Sequence, residues 1–115
     1  MPEIKVKSLK FHAFHGCHPE EQKTGGQFEV DIVVYMEDLV ETDNIKDAVD
    51  YVTIMEICAK EMANRCNLIE TVAHRIGVSV KNAFHQAKSV EVEVRKMHAP
   101  VYYDHEFVSV RFSIE

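Results

Sequence analysis

An α+β fold, one antiparallel sheet with two helices on a single face, is predicted by three features of the sequence. Four segments alternate apolar and polar residues with period two. Two others repeat apolar residues at helical intervals. The strands are grouped at both ends of the chain around the helix pair, in the order β-β-α-α-β-β.

The first strand, residues 4 to 14, carries Ile4 and Val6 and then Leu9 and Phe11, so its parity slips at Ser8 and Leu9 and a bulge is expected there. Residues 15 to 27, HGCHPEEQKTGGQ, hold one proline and three of the four glycines and read as a long loop. A loop of that length in a compact domain is usually functional. Alternation resumes with Phe28, Val30, Ile32 and Val34 on one face and Glu29 and Asp31 on the other, a half-buried strand. The acidic stretch 37 to 50 lacks a sustained period and reads as a connection, in which Thr42-Asp43-Asn44 can cap a short turn before Ile45 to Val49. Thr53 and Glu56 have capping-box spacing, and Ile54, Ile57, Cys58 and Met62 follow at helical intervals, giving a helix over about 52 to 64. Asn67 with Glu70 repeats the start signal. A long stripe of Ile69, Val72, Ala73, Ile76, Val80, Ala83, Phe84 and Ala87 then defines the second helix. Val90, Val92 and Val94 form one side of a third strand, opposite Glu91, Glu93 and Arg95. After the break at Ala99-Pro100, Val108, Val110, Phe112 and Ile114 form one side of a fourth.

The 115 residues fit a single domain, 1 to 115, and the 46% of hydrophobic residues supply a core that needs no staples. Thirteen basic against nineteen acidic residues leave a net charge of −6 with no basic run, which argues against a phosphate-tracking nucleic-acid binder. The longest apolar stretches, such as 32 to 36, fall far short of the ~20 residues of a membrane span. The first residues lack the apolar block of a secretory signal. Cys17, Cys58 and Cys66 are odd in number and without CxxC spacing, so reduced thiols in a cytoplasmic protein are expected, with Cys58 and Cys66 as small core residues.

Lys96 is the most informative residue. Its parity continues the valine row of the third strand, and it stands at the strand end before the 97–100 break, where a cleft can open. An amine desolvated there serves as a catalytic acid or base; the alternative is a lysine that snorkels to water. Glu70 either caps its own helix or accepts parallel hydrogen bonds from a planar heterocycle with adjacent N–H donors. Tyr51, just before the first helix, is either a rim packing residue or a proton donor aimed into a cleft. His12, His15 and His18 recur at intervals that point to opposite faces of an extended chain and match no metal motif. Cys17 lies between His15 and His18, and nothing in the sequence orients a Cys-His nucleophile.

Several motifs coincide in order and spacing over nearly the whole chain. They are Phe-x-x-x-His-Gly at 11 to 16, Pro-Glu-Glu-Gln-Lys at 19 to 23, Thr-Asp-Asn at 42 to 44, Asp-Tyr at 50 to 51, Asn-Leu-Ile-Glu at 67 to 70 and Arg-Lys-x-x-Ala-Pro at 95 to 100. In these the chain resembles the dihydroneopterin aldolases of folate biosynthesis. The resemblance implies the tunnelling fold (T-fold), in which subunits join four-stranded sheets into a ring-shaped barrel. Homo-oligomers, tetramers or stacked octamers, then carry sites between subunits. Ring closure would remove the two open edges of such a sheet.

The resemblance further implies that 7,8-dihydroneopterin is cleaved to 6-hydroxymethyl-7,8-dihydropterin and glycolaldehyde, with epimerase activity in many members. No cofactor, metal or Schiff base is implied, because the substrate's own C=N bond takes up the electrons. Lys96 resembles the family's catalytic acid/base and Tyr51 its hydroxyl donor, contributed across an interface. Glu70, with the backbone at Ile69, resembles the pterin-reading carboxylate, and Glu21 matches the substrate-binding glutamate near the lysine. The histidines and Cys17 receive no role. The chain departs from many members at Ala13, where they have glycine, and at 100–104, Pro-Val-Tyr-Tyr-Asp, where they have a Pro-Ile/Val-Pro-Gly-like stretch. The alternatives kept beside the aldolase are a dihydroneopterin triphosphate epimerase, a non-catalytic pterin-binding ring protein and a metal-dependent relative of the same fold.

Overall fold

The computed structural model describes residues 2–37, 43–44 and 47–115. Its elements are β1 (Glu3–Ala13), α1 (Pro19–Lys23), β2 (Gly26–Met36), α2 (Tyr51–Ala63), α3 (Ile69–Ala83), β3 (Ala87–Lys96) and β4 (Val108–Ile114). The strands form one antiparallel sheet in the order β1-β2-β3-β4, so each strand pairs with its neighbour in sequence. This is the expected four-stranded arrangement.

The bulge in β1 falls where the parity slips. The register with β2 shifts between Val6 and Leu9, and Ser8 adopts a φ of 54° with its N–H donating to Asp31 Oδ1 at 2.6 Å. One extra residue thereby keeps Val6, Leu9 and Phe11 all directed at the core. Val30, Ile32 and Val34 of β2 and Val90, Val92 and Val94 of β3 are fully buried. Over them lie Ile54, Cys58 and Met62 of α2 and Val72, Ile76 and Val80 of α3, the i, i+3/i+4, i+7/i+8 faces of two helices. Truncating a side chain such as Ile76, which has no exposed surface, to alanine would cost about 2–5 kcal/mol. A Cβ at Gly77 would stand 2.6 Å from Ile114 Cγ1, so α3 rests directly on β4 at that point.

The opposite face of the sheet is polar and centred on Arg95, which is only 7% exposed. Its guanidinium donates twice to Asp31 (2.7 and 2.9 Å), to Glu93 at 2.9 Å and to Glu29 at 3.1 Å. The Arg95 hydrogen bonds hold the Asp31 carboxyl down at about 2, against the smaller opposing effect of burial. A buried charge so fully partnered is tolerated; losing one partner would leave it costly.

Four local expectations need correction. The stretch 15–27 is not all loop, because Pro19–Lys23 forms the short helix α1. The first long helix is capped by Asp50, whose carboxylate accepts from Val52 N–H at 3.0 Å, and not by a box built on Thr53. The second begins after Leu68 and not after Asn67, since the Asn67 side chain is engaged by Arg65 at 2.8 Å and its carbonyl by the Cys17 thiol at 3.3 Å. That helix stops at Ala83; Phe84 caps it and Ala87 already belongs to β3, although both remain in the core. Of the capped turn expected at 42–49, Thr42, Ile45 and Lys46 lie outside the described residues.

Candidate active site

The end of β3 places Lys96 between Phe28 of β2 and Val108 of β4. Its side chain follows the valine row onto the helix-covered face and is 17% exposed, as its parity requires. There it meets a partner 75 positions earlier in the chain: Glu21 Oε2 lies 2.5 Å from Lys96 Nζ. Glu21 is one of three buried polar or charged side chains among the described residues, with His15 and Arg95. It is the third residue of α1, and its other oxygen, Oε1, accepts the N–H of the N-cap residue His18 at 3.3 Å. A proline at the first helical position fixes the start of this turn.

The floor beneath Glu21 is backbone. Gly16 has a φ of +141°, and a Cβ there would come within 2.3 Å of the Glu21 carboxyl carbon. Only glycine combines that conformation with that approach. Gly16 is clamped from both sides by the α2–α3 connection: its N–H donates to the Cys66 carbonyl at 3.0 Å, and its carbonyl accepts from the Arg65 guanidinium at 2.7 Å. The same connection runs into the first turn of α3, where Ile69 is buried and Glu70 is exposed. Lys96 and Glu21 are in contact, and the 16–17 segment beneath Glu21 is tied by hydrogen bonds to the connection that leads into Ile69 and Glu70. A cleft of about 240 Å³ is bounded by His18, Pro19, Glu20 and Pro100.

Tyr51 is set apart from that connection. It is the first residue of α2, 59% exposed, whereas the connection that holds Gly16 follows the last residue of α2. At 1.5 Å rise per residue, a helix of 13 residues separates the two ends by about 18 Å.

The histidines disperse. His12 is exposed with Nε2 3.0 Å from the Thr24 carbonyl, His18 caps α1, and His15 is enclosed in the core. Cys58 is buried in α2, where desolvation pushes its thiol up to about 12. Cys66 is only half-buried and faces His15, while Cys17 is exposed. His15, Gly16 and Arg65 are the residues that sequence reasoning left without a task. The only pointer to them was the His-Gly pair inside the first motif.

The family model for dihydroneopterin aldolase (FolB) matches residues 4–114. The chain belongs to the dihydroneopterin aldolase family. Dihydroneopterin aldolase 1 of Arabidopsis thaliana is 39% identical over 98 residues, covering 82% of this chain and 66% of that protein. This chain therefore spans slightly less than two thirds of that plant relative. Dihydroneopterin aldolase of Bacillus subtilis (strain 168) is 27% identical over 104 residues, covering 88% of this chain and 87% of that one. Among solved structures, Escherichia coli dihydroneopterin aldolase in complex with neopterin superposes with a TM-score of 0.87 at 19% identity over the full length of both chains. A uricase from Bacillus fastidious shares the architecture with a TM-score of 0.74 at 16% identity, covering 97% of this chain and 42% of that one. These likenesses identify the fold of this chain as the tunnelling fold, and none of its described helices is long and apolar enough to cross a membrane.

Proposed function

We propose that the protein cleaves 7,8-dihydroneopterin by a retro-aldol step to 6-hydroxymethyl-7,8-dihydropterin and glycolaldehyde. The observation that supports this reading best is the Lys96–Glu21 ion pair at the end of β3. In the reaction, the hydroxyl on the carbon that leaves as glycolaldehyde gives up its proton as the C–C bond breaks. The electron pair moves into the C=N bond of the dihydropterin as an enamine, and a proton is returned to the carbon that stays on the ring. Lys96, fixed by Glu21 at a strand end, is the group we assign to these proton transfers. Because the electron sink belongs to the substrate, the step needs neither a Lewis acid nor a Schiff base.

Glu70 and the backbone at Ile69 are assigned to the pterin ring. Glu70 extends from the first turn of α3 with its carboxylate exposed, free to accept two parallel N–H donors from an amino-pyrimidinone. Glu21 then serves the substrate side chain as well as Lys96. Tyr51 we assign to the site of a neighbouring copy, since in its own chain α2 separates it from the connection that holds Gly16. A homo-oligomer, tetramer or octamer, supplies that neighbour. Two features favour it: β1 and β4 are open edges of the sheet, and Tyr51, Val52, Leu68, Tyr102 and Tyr103 are exposed apolar surface in a single chain. Reduced Cys17, Cys58 and Cys66 suit a cytoplasmic location.

Incubation with 7,8-dihydroneopterin and separation of the products tests the reading. Hydroxymethyl-dihydropterin with equimolar glycolaldehyde is expected. An isomer of the substrate with no glycolaldehyde would replace the aldolase by an epimerase, and ligand retention without any product would replace both by a pterin-binding protein.

A further inference from the structure

We propose that His15 is a positioning residue: a neutral, buried imidazole whose Nδ1 accepts the Cys66 N–H and thereby sets Gly16, and with it Glu21, against Lys96. The inference rests on the functional reading of the Lys96–Glu21 pair given above. His15 has no exposed surface. Its Nδ1 lies 3.2 Å from the Cys66 amide nitrogen and 3.4 Å from the Cys66 sulfur, and that sulfur is placed to donate elsewhere, to the Leu68 carbonyl at 3.0 Å. An amide N–H can only donate, so Nδ1 must be the acceptor and the ring proton must sit on Nε2. The ring stands edge-on to Phe28, with centroids 5.4 Å apart at 83°, and Phe28 is the residue paired with Lys96 across β2 and β3. One imidazole therefore touches the connection that leads to Glu70 and the residue that neighbours Lys96. It is also covalently joined to the glycine on which Glu21 rests.

The charge state matters because of what surrounds the ring. Arg75 of α3, Arg65 and Cys66 of the connection, and Lys96 of β3 face it; the three cations oppose its protonation, as does burial, which acts most strongly, against a smaller favourable contribution from the Met62 backbone. Nε2, which carries the ring proton, is buried and has no hydrogen-bond partner among the described residues, so a second proton would have to sit on Nδ1, the position the Cys66 N–H faces. Protonating Nδ1 would turn two donors toward each other and release the Cys66 clamp. The folded state keeps His15 neutral below the ordinary histidine value, so this contribution to stability is complete above about 6.5. It is lost as pH falls through the lower folded value.

The test has one arm that is independent of the reaction. Nitrogen NMR of the wild-type His15 ring should show the Nε2–H tautomer at pH 7.5, and the Lys96 Nζ signal should shift in His15→Phe and return in His15→Asn, whose side-chain oxygen takes the place of Nδ1. An Nδ1–H or charged ring, or a Lys96 signal indifferent to His15→Phe, would overturn the proposal even if the substrate were another compound. The second arm is kinetic. With 7,8-dihydroneopterin, His15→Phe should lower kcat by about tenfold or more, as misplacement of a catalytic group does, while His15→Asn recovers most of it and no longer loses activity on acidification through the His15 transition. Equal kcat in wild type and His15→Phe, or equal losses in both variants, would overturn it. A wild type that does not turn over dihydroneopterin would instead refute the functional reading and leave the NMR arm to decide on His15.

Discussion

Glu21 divides its carboxylate between Lys96, 2.5 Å from Oε2, and the start of its own helix, where Oε1 accepts the His18 N–H. The carboxylate that faces the amine is thus anchored to the backbone and cannot follow a mobile lysine. Lys96→Ala should accordingly leave pterin binding nearly intact while turnover falls about 10²- to 10⁴-fold, the span expected for a positioned proton-transfer group. Calorimetric binding and steady-state rates measured on the same preparation check both halves; a wild-type rate would sink the assignment.

Glu70 predicts the opposite split. Its side chain is exposed, so Glu70→Ala should change stability by about 0.5 kcal/mol or less. The pterin should no longer bind measurably. A variant that melts like wild type and still binds neopterin would remove Glu70 from the site.

Tyr51 opens α2, whereas the connection that holds Gly16 beneath Glu21 follows the other end of that helix, which makes a mixing experiment decisive. Tyr51→Phe and Lys96→Ala chains, each impaired alone, should regain activity when co-expressed. If every site draws Tyr51 and Lys96 from different copies, random assembly leaves about one quarter of sites intact, half times half. No recovery in mixed oligomers would show that the two residues do not share a site between copies.

Gly16→Ala should be damaging out of proportion to the one carbon added. The φ of +141° disfavours any side chain, and the new methyl would collide with the Glu21 carboxyl carbon at 2.3 Å. A stability loss of about 1–3 kcal/mol is expected from the backbone strain alone. Displacement of Glu21 from Lys96 should add a fall in kcat. Denaturant unfolding and kinetics separate the two effects.

Asp31 should govern part of the acid stability. Its carboxyl titrates at about 2 in the fold against 3.8 ordinarily, because Arg95 holds it ionised. A depressed acid stabilises fully above its unfolded value and loses that contribution as pH falls from about 3.8 toward 2, here about 1–2 kcal/mol after allowance for solvent screening. The stability difference between wild type and Asp31→Asn, measured by urea unfolding, should shrink by that amount over the same window. A difference that stays constant with pH would argue against the pairing.

Periodicity made most of the fold legible. Alternation marked all four strands, the parity slip at Ser8 marked the bulge, and the same parity argument put Lys96 on the valine side of β3. Helix α1 was hidden because five residues hold little more than one turn, too few for a repeat; Pro19 followed by Glu21 was the available start signal. The caps were misread for a different reason. Asn67 has the right spacing to cap α3, but long-range partners, Arg65 and Cys17, claim it, and spacing cannot show competition. Likewise Glu21 and His15 become meaningful only through Lys96 and Cys66, 75 and 51 positions away.

The two-way commitment of Glu21 also limits how the protein can vary. Aspartate, shorter by one methylene, can satisfy the helix end or the amine but not both, and glutamine keeps the reach while surrendering the negative charge. Natural drift at this position would register at once as a folding defect and a chemical one, so neither trait can be tuned there in isolation.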